Sequence, residues 1–214
     1  MATDVYLEVG SKKVFASAAG WPGWCRAGKT EDAALEALAD YASRYRVVCD
    51  EAGIRFPAKA GDNLVVAGKV KGSATTDFGA PGAIRPHDDD PVKAAEAKRM
   101  AALVEASWAV LAAVAKGAPA ELRKGPRGGG RDRDKIVAHV ADAENAYARK
   151  LGVRLPGTDD AVVRERRAAI LAVLGKPSPG PAPVDKGWPL RYAAFRIAWH
   201  VLDHAWEIED RSTP

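Results

Sequence analysis

Apolar residues occupy every second position in the first part of the chain. The alternating residues are Val5, Leu7, Val9, Val14, Ala16 and Ala18. The two runs are separated by residues 10–13, whose sequence GSKK is typical of a turn. Two-residue periodicity on both sides of a turn predicts a β-hairpin over residues 5–19.

After a loop rich in glycine and tryptophan (residues 20–28), the spacing of apolar positions becomes helical. Thr30 followed by Glu31 and Asp32 has the character of a helix N-terminus. Apolar residues then recur every three or four positions up to residue 45, which predicts one amphipathic helix. One or two further strands are expected beyond it, over residues 64–70 and 73–78.

Residues 79–91 are rich in proline, glycine and aspartate, and they predict a linker or domain boundary. Helical spacing dominates the rest of the chain. The predicted helices cover residues 91–115, 132–151, 159–174 and 189–210. Four helices of this length, joined by extended polar loops, are typical of a four-helix bundle. We therefore expect an α+β fold, with a small hairpin and helix module in residues 1–85 and a helical bundle in residues 91–214.

The composition favours a soluble globular protein. Of 214 residues, 47% are hydrophobic and 28% are charged, which is enough to bury a core. The 32 basic and 28 acidic residues leave a net charge of +4, too small an excess to indicate a nucleic-acid partner.

Without a long apolar run or a signal peptide, the protein is expected in the cytoplasm, away from membranes. Cys25 and Cys49 are too few and too far apart for a disulfide framework or a CxxC motif, and we expect reduced, buried thiols.

Two polar features are expected to be solvated surface. The run of residues 164–167, with the sequence RERR, is most simply an exposed helix face, with a carboxylate-binding arginine cluster as the alternative. His87, beside three aspartates in the linker, has no helical scaffold that would fix it as a ligand.

The chemistry-bearing motif lies in the last predicted helix. His200 and His204 are four residues apart, so their imidazoles share one face and can reach one metal ion. His139 lies among apolar residues on the core-facing side of the second long helix. A lone histidine there would be read as a core residue, but three inward-facing histidines from two helices indicate a metal site.

Carboxylates near these histidines are candidates for orienting them, since a ligating imidazole usually donates its other N–H to a carboxylate or carbonyl. We expect Asp142, Glu144 and Asp203 in this role. Glu207, one turn beyond His204, is expected to orient a ligand or act as a catalytic base. For each of them a solvated surface position is the alternative.

Arg196 lies one turn before His200, and it is expected to reach an anionic substrate near the metal. A surface ion pair is the alternative for this residue. Trp199 and Trp206, which flank the histidine pair, are expected in the core.

The C-terminal segment resembles the DinB or YfiT-like family of metal-dependent helical bundles. The resemblance rests on residues 134–144, DKIVAHVADAE, and on residues 196–207, RIAWHVLDHAWE. It implies a divalent ion, zinc, nickel or iron, held by His139, His200 and His204, with coordination positions left for water or substrate. It also implies a transferase or isomerase activity that uses a low-molecular-weight thiol such as mycothiol as co-substrate.

The N-terminal hairpin, the WPGW loop and the following helix resemble HicB-like antitoxins over about forty residues. No DNA-binding segment accompanies them, so this resemblance implies a packing module. The leading hypothesis is a metal-dependent enzyme acting on a small molecule, either a thiol transferase or a hydrolase, and existing as a homodimer. The alternative is a non-enzymatic binding protein in which the helices are a scaffold.

Overall fold

The computed structural model describes residues 2–125 and 129–212, and within them the chain has a mixed α+β fold. The four strands are β1 Thr3–Val9, β2 Val14–Ala18, β3 Cys25–Gly28 and β4 Leu64–Lys71. The seven helices are α1 Glu31–Asp40, α2 Ala42–Glu51, α3 Ala74–Phe78, α4 Ala94–Gly117, α5 Arg133–Lys150, α6 Asp160–Leu174 and α7 Leu190–Ser212.

The strands form one sheet in the order β3-β2-β1-β4. The predicted hairpin is confirmed, since β1 and β2 pair antiparallel with Leu7 opposite Ala16. The N–H of Gly10 donates to the carbonyl of Lys13 at 2.9 Å and closes its turn. The strand predicted over residues 64–70 is also confirmed, and it joins the sheet edge parallel to β1.

The strand suggested over residues 73–78 is wrong, because this segment forms the short helix α3. The Ser73 side chain accepts from the N–H of Thr75, and the Thr76 hydroxyl accepts from the N–H of Ser73 at 2.7 Å. The Thr76 hydroxyl also donates to the buried carboxylate of Glu8. Local side-chain bonds of this kind favour a helix start over a strand.

The single helix predicted up to residue 45 is divided at Tyr41 into α1 and α2. The two halves pack on different partners: α1 contacts β2 and β3, whereas α2 contacts α4. The Tyr41 ring packs against Trp206 of α7 at 5.0 Å between centroids. The break therefore lets one amphipathic segment pack its first half on the sheet and its second half on α4.

The four long helices lie close to their predicted positions, with one difference at the first. Helix α4 begins at Ala94 and not at Pro91, because Val92 exchanges two backbone hydrogen bonds with Ser178, at 2.8 and 3.0 Å. Residues of α4, α5, α6 and α7 share one hydrophobic core, which includes Val104, Ile136 and Ile170.

The sheet is packed against these helices. One face, which carries Val5 and Leu7, shares a core with α1, α2 and α4 and with Trp206 of α7. The other face presents Phe15 and Cys25 to aromatic residues of α7. The division at residues 85–91 remains a prediction, and the observed core is continuous across it.

The run of residues 164–167 is not uniformly exposed. Arg166 is fully buried, and its guanidinium donates to the carbonyls of Ala141, Leu155 and Gly157 and to the Asn145 side chain, at 2.7 to 3.0 Å. The buried positions of α6 recur every three or four residues, and Arg166 is one of them. Arg164 and Glu165 face water, whereas Arg167 is half-buried.

Both cysteines are free and buried, as predicted. Burial raises the pKa of Cys25 and raises that of Cys49 to about 12, so neither is a ready nucleophile. Trp199 and Trp206 are buried in the core, also as predicted.

Among the described residues, α4 alone has the length and hydropathy to cross a membrane, and a central core helix of a soluble protein has the same properties.

Candidate metal centre

The structure brings His139, His200 and His204 together. One nitrogen of each side chain lies within 4.8 Å of the corresponding nitrogens of the other two. The ring centroids are 5.2 Å apart for His139 and His200, 5.0 Å for His139 and His204, and 4.8 Å for His200 and His204.

Two helices position the three imidazoles. His200 and His204 are one turn apart on α7, and His139 faces them from α5. Ala141, two residues after His139, is buried. Val140 of α5 and Val201 of α7 are fully buried beside them and belong to the same hydrophobic core. The packing of α5 against α7 therefore fixes the third histidine relative to the pair.

His200 is the most enclosed of the three, with 7% of its surface exposed. Burial, followed by the nearby His204 and Arg196, lowers its pKa to about 2. Its Nδ1 atom is buried and has no hydrogen-bond partner among the described residues. A neutral imidazole with an unpaired buried nitrogen is a suitable metal ligand, because metals bind the deprotonated ring.

His139 and His204 are half-buried. Burial and the proximity of His204 lower the pKa of His139. His204 Nδ1 lies 2.8 Å from the Oε2 atom of Glu207. Glu207 in turn accepts from Arg211 at 2.6 Å, and its contacts with His204 and Arg211 lower the pKa of its carboxyl group. The contact fixes the orientation of the His204 ring and leaves Nε2 as the atom available to a metal.

Arg196 lies beside this cluster, as its position one turn before His200 predicts. Its guanidinium is stacked on Trp199, 4.6 Å from the ring centroid, and on Tyr147 at 5.4 Å. The Tyr147 ring also meets His200 edge-on at 5.5 Å. The Nη1 atom of Arg196 is buried and lacks an acceptor among the described residues.

The carboxylates predicted to orient the histidines have other positions. Glu144 is a correction: it is buried against Arg167, which donates to it at 2.8 to 3.3 Å, and it contacts no histidine among the described residues. Asp203 is a second correction, since it binds Arg26 of β3 at 3.0 Å. Asp142 is exposed, and its charge acts on His139 without a hydrogen bond to a described histidine.

Helical geometry accounts for these differences. Glu144 is five residues after His139, about 140° further around the helix axis, and it therefore points toward α6. Glu207 is three residues after His204, a spacing that places both on one face. Of the predicted acidic residues, Glu207 is the one that contacts a histidine.

The three histidines fit a divalent ion. Imidazole nitrogen binds such ions at about 2.0 to 2.1 Å, so two nitrogens in a tetrahedral site are separated by about 3.4 Å. The observed nitrogens lie within 4.8 Å of one another, and movements of up to about 0.7 Å at each ring end would bring them into range. Three imidazoles are chemically suited to zinc, nickel and iron alike.

His87 lies apart from the cluster. Its side chain is 71% exposed and pairs with Asp90 at 2.7 Å, so the prediction that it is a solvated loop residue is confirmed.

No protein-family model, curated protein or solved structure matches the chain. The resemblances to DinB-like and HicB-like proteins therefore remain predictions.

Proposed function

We propose that the chain is a metal-dependent enzyme of the DinB-like class, in which α4 to α7 form a four-helix bundle and His139, His200 and His204 hold a divalent ion. The observation that carries this proposal is the convergence of three imidazoles from two helices, one of them buried, neutral and without a partner for Nδ1. Buried polar atoms are usually hydrogen-bonded, so such a group calls for a ligand or an ordered water.

The donor set favours a catalytic site over a structural one. Structural zinc sites are normally closed by four protein ligands, whereas catalytic sites keep a position open. Among the described residues, no cysteine or further carboxylate joins the three histidines in one ligand group. When bound, the ion would supply Lewis acidity toward a water, a thiol or a substrate carbonyl.

The chain's own residues would then perform two tasks. Glu207 holds His204 in the orientation that presents Nε2, and Arg211 holds Glu207. Glu207 is thus proposed as a positioning residue, because both of its carboxylate oxygens are already engaged. Arg196 offers a buried, unpaired N–H beside His200, and we propose that it binds the anionic group of a small-molecule substrate.

Removing Glu207 is expected to weaken metal binding without abolishing it. In Glu207→Ala the His204 ring loses the contact that fixes its orientation, and the dissociation constant should rise about 10- to 100-fold. Glu207→Gln should lose less, because the amide oxygen can still accept from Nδ1. Titration with zinc in competition with a chromophoric chelator measures the change, and Glu209→Ala, two residues along α7, is the control. Equal zinc affinity in Glu207→Ala and the control would contradict the role of Glu207.

The reaction class is tested by incubating metal-loaded protein with a low-molecular-weight thiol and an electrophile that carries a carboxylate. Thiol consumption supports the transferase, with mycothiol as the proposed natural co-substrate, and hydrolysis of ester or amide probes without thiol supports the hydrolase. Arg196→Met is expected to lower kcat/KM for the anionic electrophile about 10- to 100-fold, with metal content unchanged. Arg44→Met is the matched control, since Arg44 also stacks on a tyrosine ring.

Loss of metal from Arg196→Met would show that Arg196 supports the fold of the site, and an unchanged kcat/KM would remove it from substrate binding. Protein that holds an ion but converts neither class of probe would favour the non-enzymatic alternative. A homodimer in the cytoplasm, without nucleic-acid or membrane partners, stays a prediction.

A further inference from the structure

A cavity of about 220 Å³ lies beside α7, and its wall contains none of the three histidines of the metal centre. Its wall is formed by β1, the loop after β2, the segment before α4, and one face each of α4 and α7.

Most of the charged groups in this wall are paired with one another. Arg85 and Asp88 form a buried ion pair at 2.8 Å. Arg191 binds Glu96 at 2.6 Å and also donates to three backbone carbonyls of the segment before α4. Each of the three carboxylates of the wall therefore contacts a neighbouring side chain. Asp88 contacts Arg85 and Glu96 contacts Arg191, whereas the partner of Asp90 is His87.

Arg99 is the exception among the lining cations. It donates to the carbonyl of Gly20 and stacks on Trp21, with 4.2 Å between the guanidinium carbon and the ring centroid. No carboxylate pairs with it in the part of the chain that the structure describes. With His87 counted as neutral, the three arginines and three carboxylates of the wall balance in charge, but Arg99 is the one lining guanidinium without a carboxylate partner in the described part of the chain. The aromatic ring beneath it fixes its orientation.

The remainder of the wall favours a flat apolar ligand. Tyr6, Trp21 and Phe195 contribute aromatic surface, and Met100 contributes a polarizable, adaptable side chain. An apolar cavity of about 150 Å³ is large enough for benzene. A cavity of 220 Å³ therefore accommodates one ring together with a group the size of a carboxylate.

The two sites occupy different faces of α7. Arg191 and Phe195 face the cavity, and the cluster is reached from the face that carries His200 and His204. None of the three histidines lines the cavity. Occupation of one site does not physically block the other.

We propose that this cavity binds a small organic monoanion, a carboxylate with an aromatic body, whose carboxylate pairs with Arg99 while its ring lies among Tyr6, Trp21 and Phe195. A single guanidinium fork matches one planar carboxylate. A phosphate dianion would need more unpaired donors than the wall offers. This site is separate from the proposed metal chemistry and does not depend on it.

The test uses the full-length protein and isothermal titration with benzoate and phenylacetate, with benzamide and inorganic phosphate as comparison probes. Dissociation constants on the order of 0.1 to 1 mM lie well within the affinity that ligands of this size can reach, and the titration is set up for that range. We expect saturable binding of the carboxylates, at least about tenfold weaker binding of benzamide, and no saturable binding of phosphate.

Arg99→Gln should weaken benzoate binding at least about tenfold, whereas Arg99→Lys should retain part of it. Arg46→Gln is the matched control, because Arg46 also stacks on an aromatic ring and donates only to carbonyls, but does not line the cavity. Circular dichroism of each variant checks the fold.

Binding that persists in a His200→Ala His204→Ala variant would support the separation from the histidine cluster. Absence of saturable benzoate binding, equal affinity in Arg99→Gln, or loss of binding in the histidine variant would each overturn the proposal. The last outcome would place the probe at the metal and leave the proposed metal centre intact, so the two proposals fail separately.

Discussion

The double variant His200→Ala His204→Ala is expected to contain no bound metal, where the unaltered protein contains about one equivalent. The two substitutions leave His139 as the sole imidazole of the cluster. A single half-buried imidazole binds the ion too weakly to displace the water molecules that coordinate it. Elemental analysis of the purified proteins measures the effect, with circular dichroism to confirm that the helices are kept.

The chain offers a matched control for this experiment. His87→Ala also removes a histidine, but from an exposed position that pairs with Asp90, and its metal content should be unchanged. Because His200 is buried, His204→Ala alone serves as a milder variant, which should lower the affinity by more than the roughly 10- to 100-fold expected for loss of the orienting Glu207. Retention of a full equivalent of metal by the double variant would reject the three-histidine site.

Replacing Arg166 by methionine is expected to destabilise the protein by about 3 to 5 kcal/mol. The substitution keeps an apolar stem of similar length but removes the four hydrogen bonds that Arg166 donates to buried or half-buried oxygen acceptors. Two of these acceptors, the carbonyls of Leu155 and Gly157, lie in the segment after α5 and tie it to α6. A third, the carbonyl of Ala141, is on α5, so the loss concerns mainly backbone groups that water does not readily reach.

Urea unfolding followed by circular dichroism measures this difference in the free energy of unfolding. The control is Arg164→Met, two residues earlier on the same helix and exposed to solvent, for which a change within about 0.5 kcal/mol is expected. A loss below about 1 kcal/mol in Arg166→Met would mean that the acceptors are satisfied by water, and that the buried arginine contributes little to stability.

The sequence predicted those parts of the fold whose apolar periodicity is long and regular. The hairpin followed from the two-residue alternation around Val5 and Val14, and the positions of α5, α6 and α7 followed from helical spacing. The short segment at residues 73–78 was mispredicted, because the bonds of Ser73 and Thr76 to nearby groups outweighed a strand-like composition.

The histidines of the site could be found because they are few and because their spacing on one helix is chemically specific. The roles of the surrounding carboxylates were harder to predict from the sequence. The contact between His204 and Glu207 follows from a spacing of three residues, and the direction of Glu144 could have been obtained from the same helical geometry. Asp203 could not be assigned in this way, because its partner Arg26 lies 177 residues earlier in the chain.

Arg166 and Arg99 show a further limit of sequence reasoning. Their neighbours in sequence are ordinary surface residues, and nothing local distinguishes a buried arginine from a solvated one. Burial of Arg166 depends on carbonyls from α5 and the loop after it, and the isolation of Arg99 depends on which acidic residues other arginines have already taken.

The division of the three histidines between α5 and α7 has a mechanical consequence. An ion bound by side chains of both helices acts as a cross-link, so separating α5 from α7 would require breaking a coordination bond as well as opening the core. Free ion at 100 times its dissociation constant would add about 2.7 kcal/mol to the free energy of unfolding. Thermal stability would then follow the supply of metal, and the folded lifetime of the protein would become a measure of how fully its site is loaded.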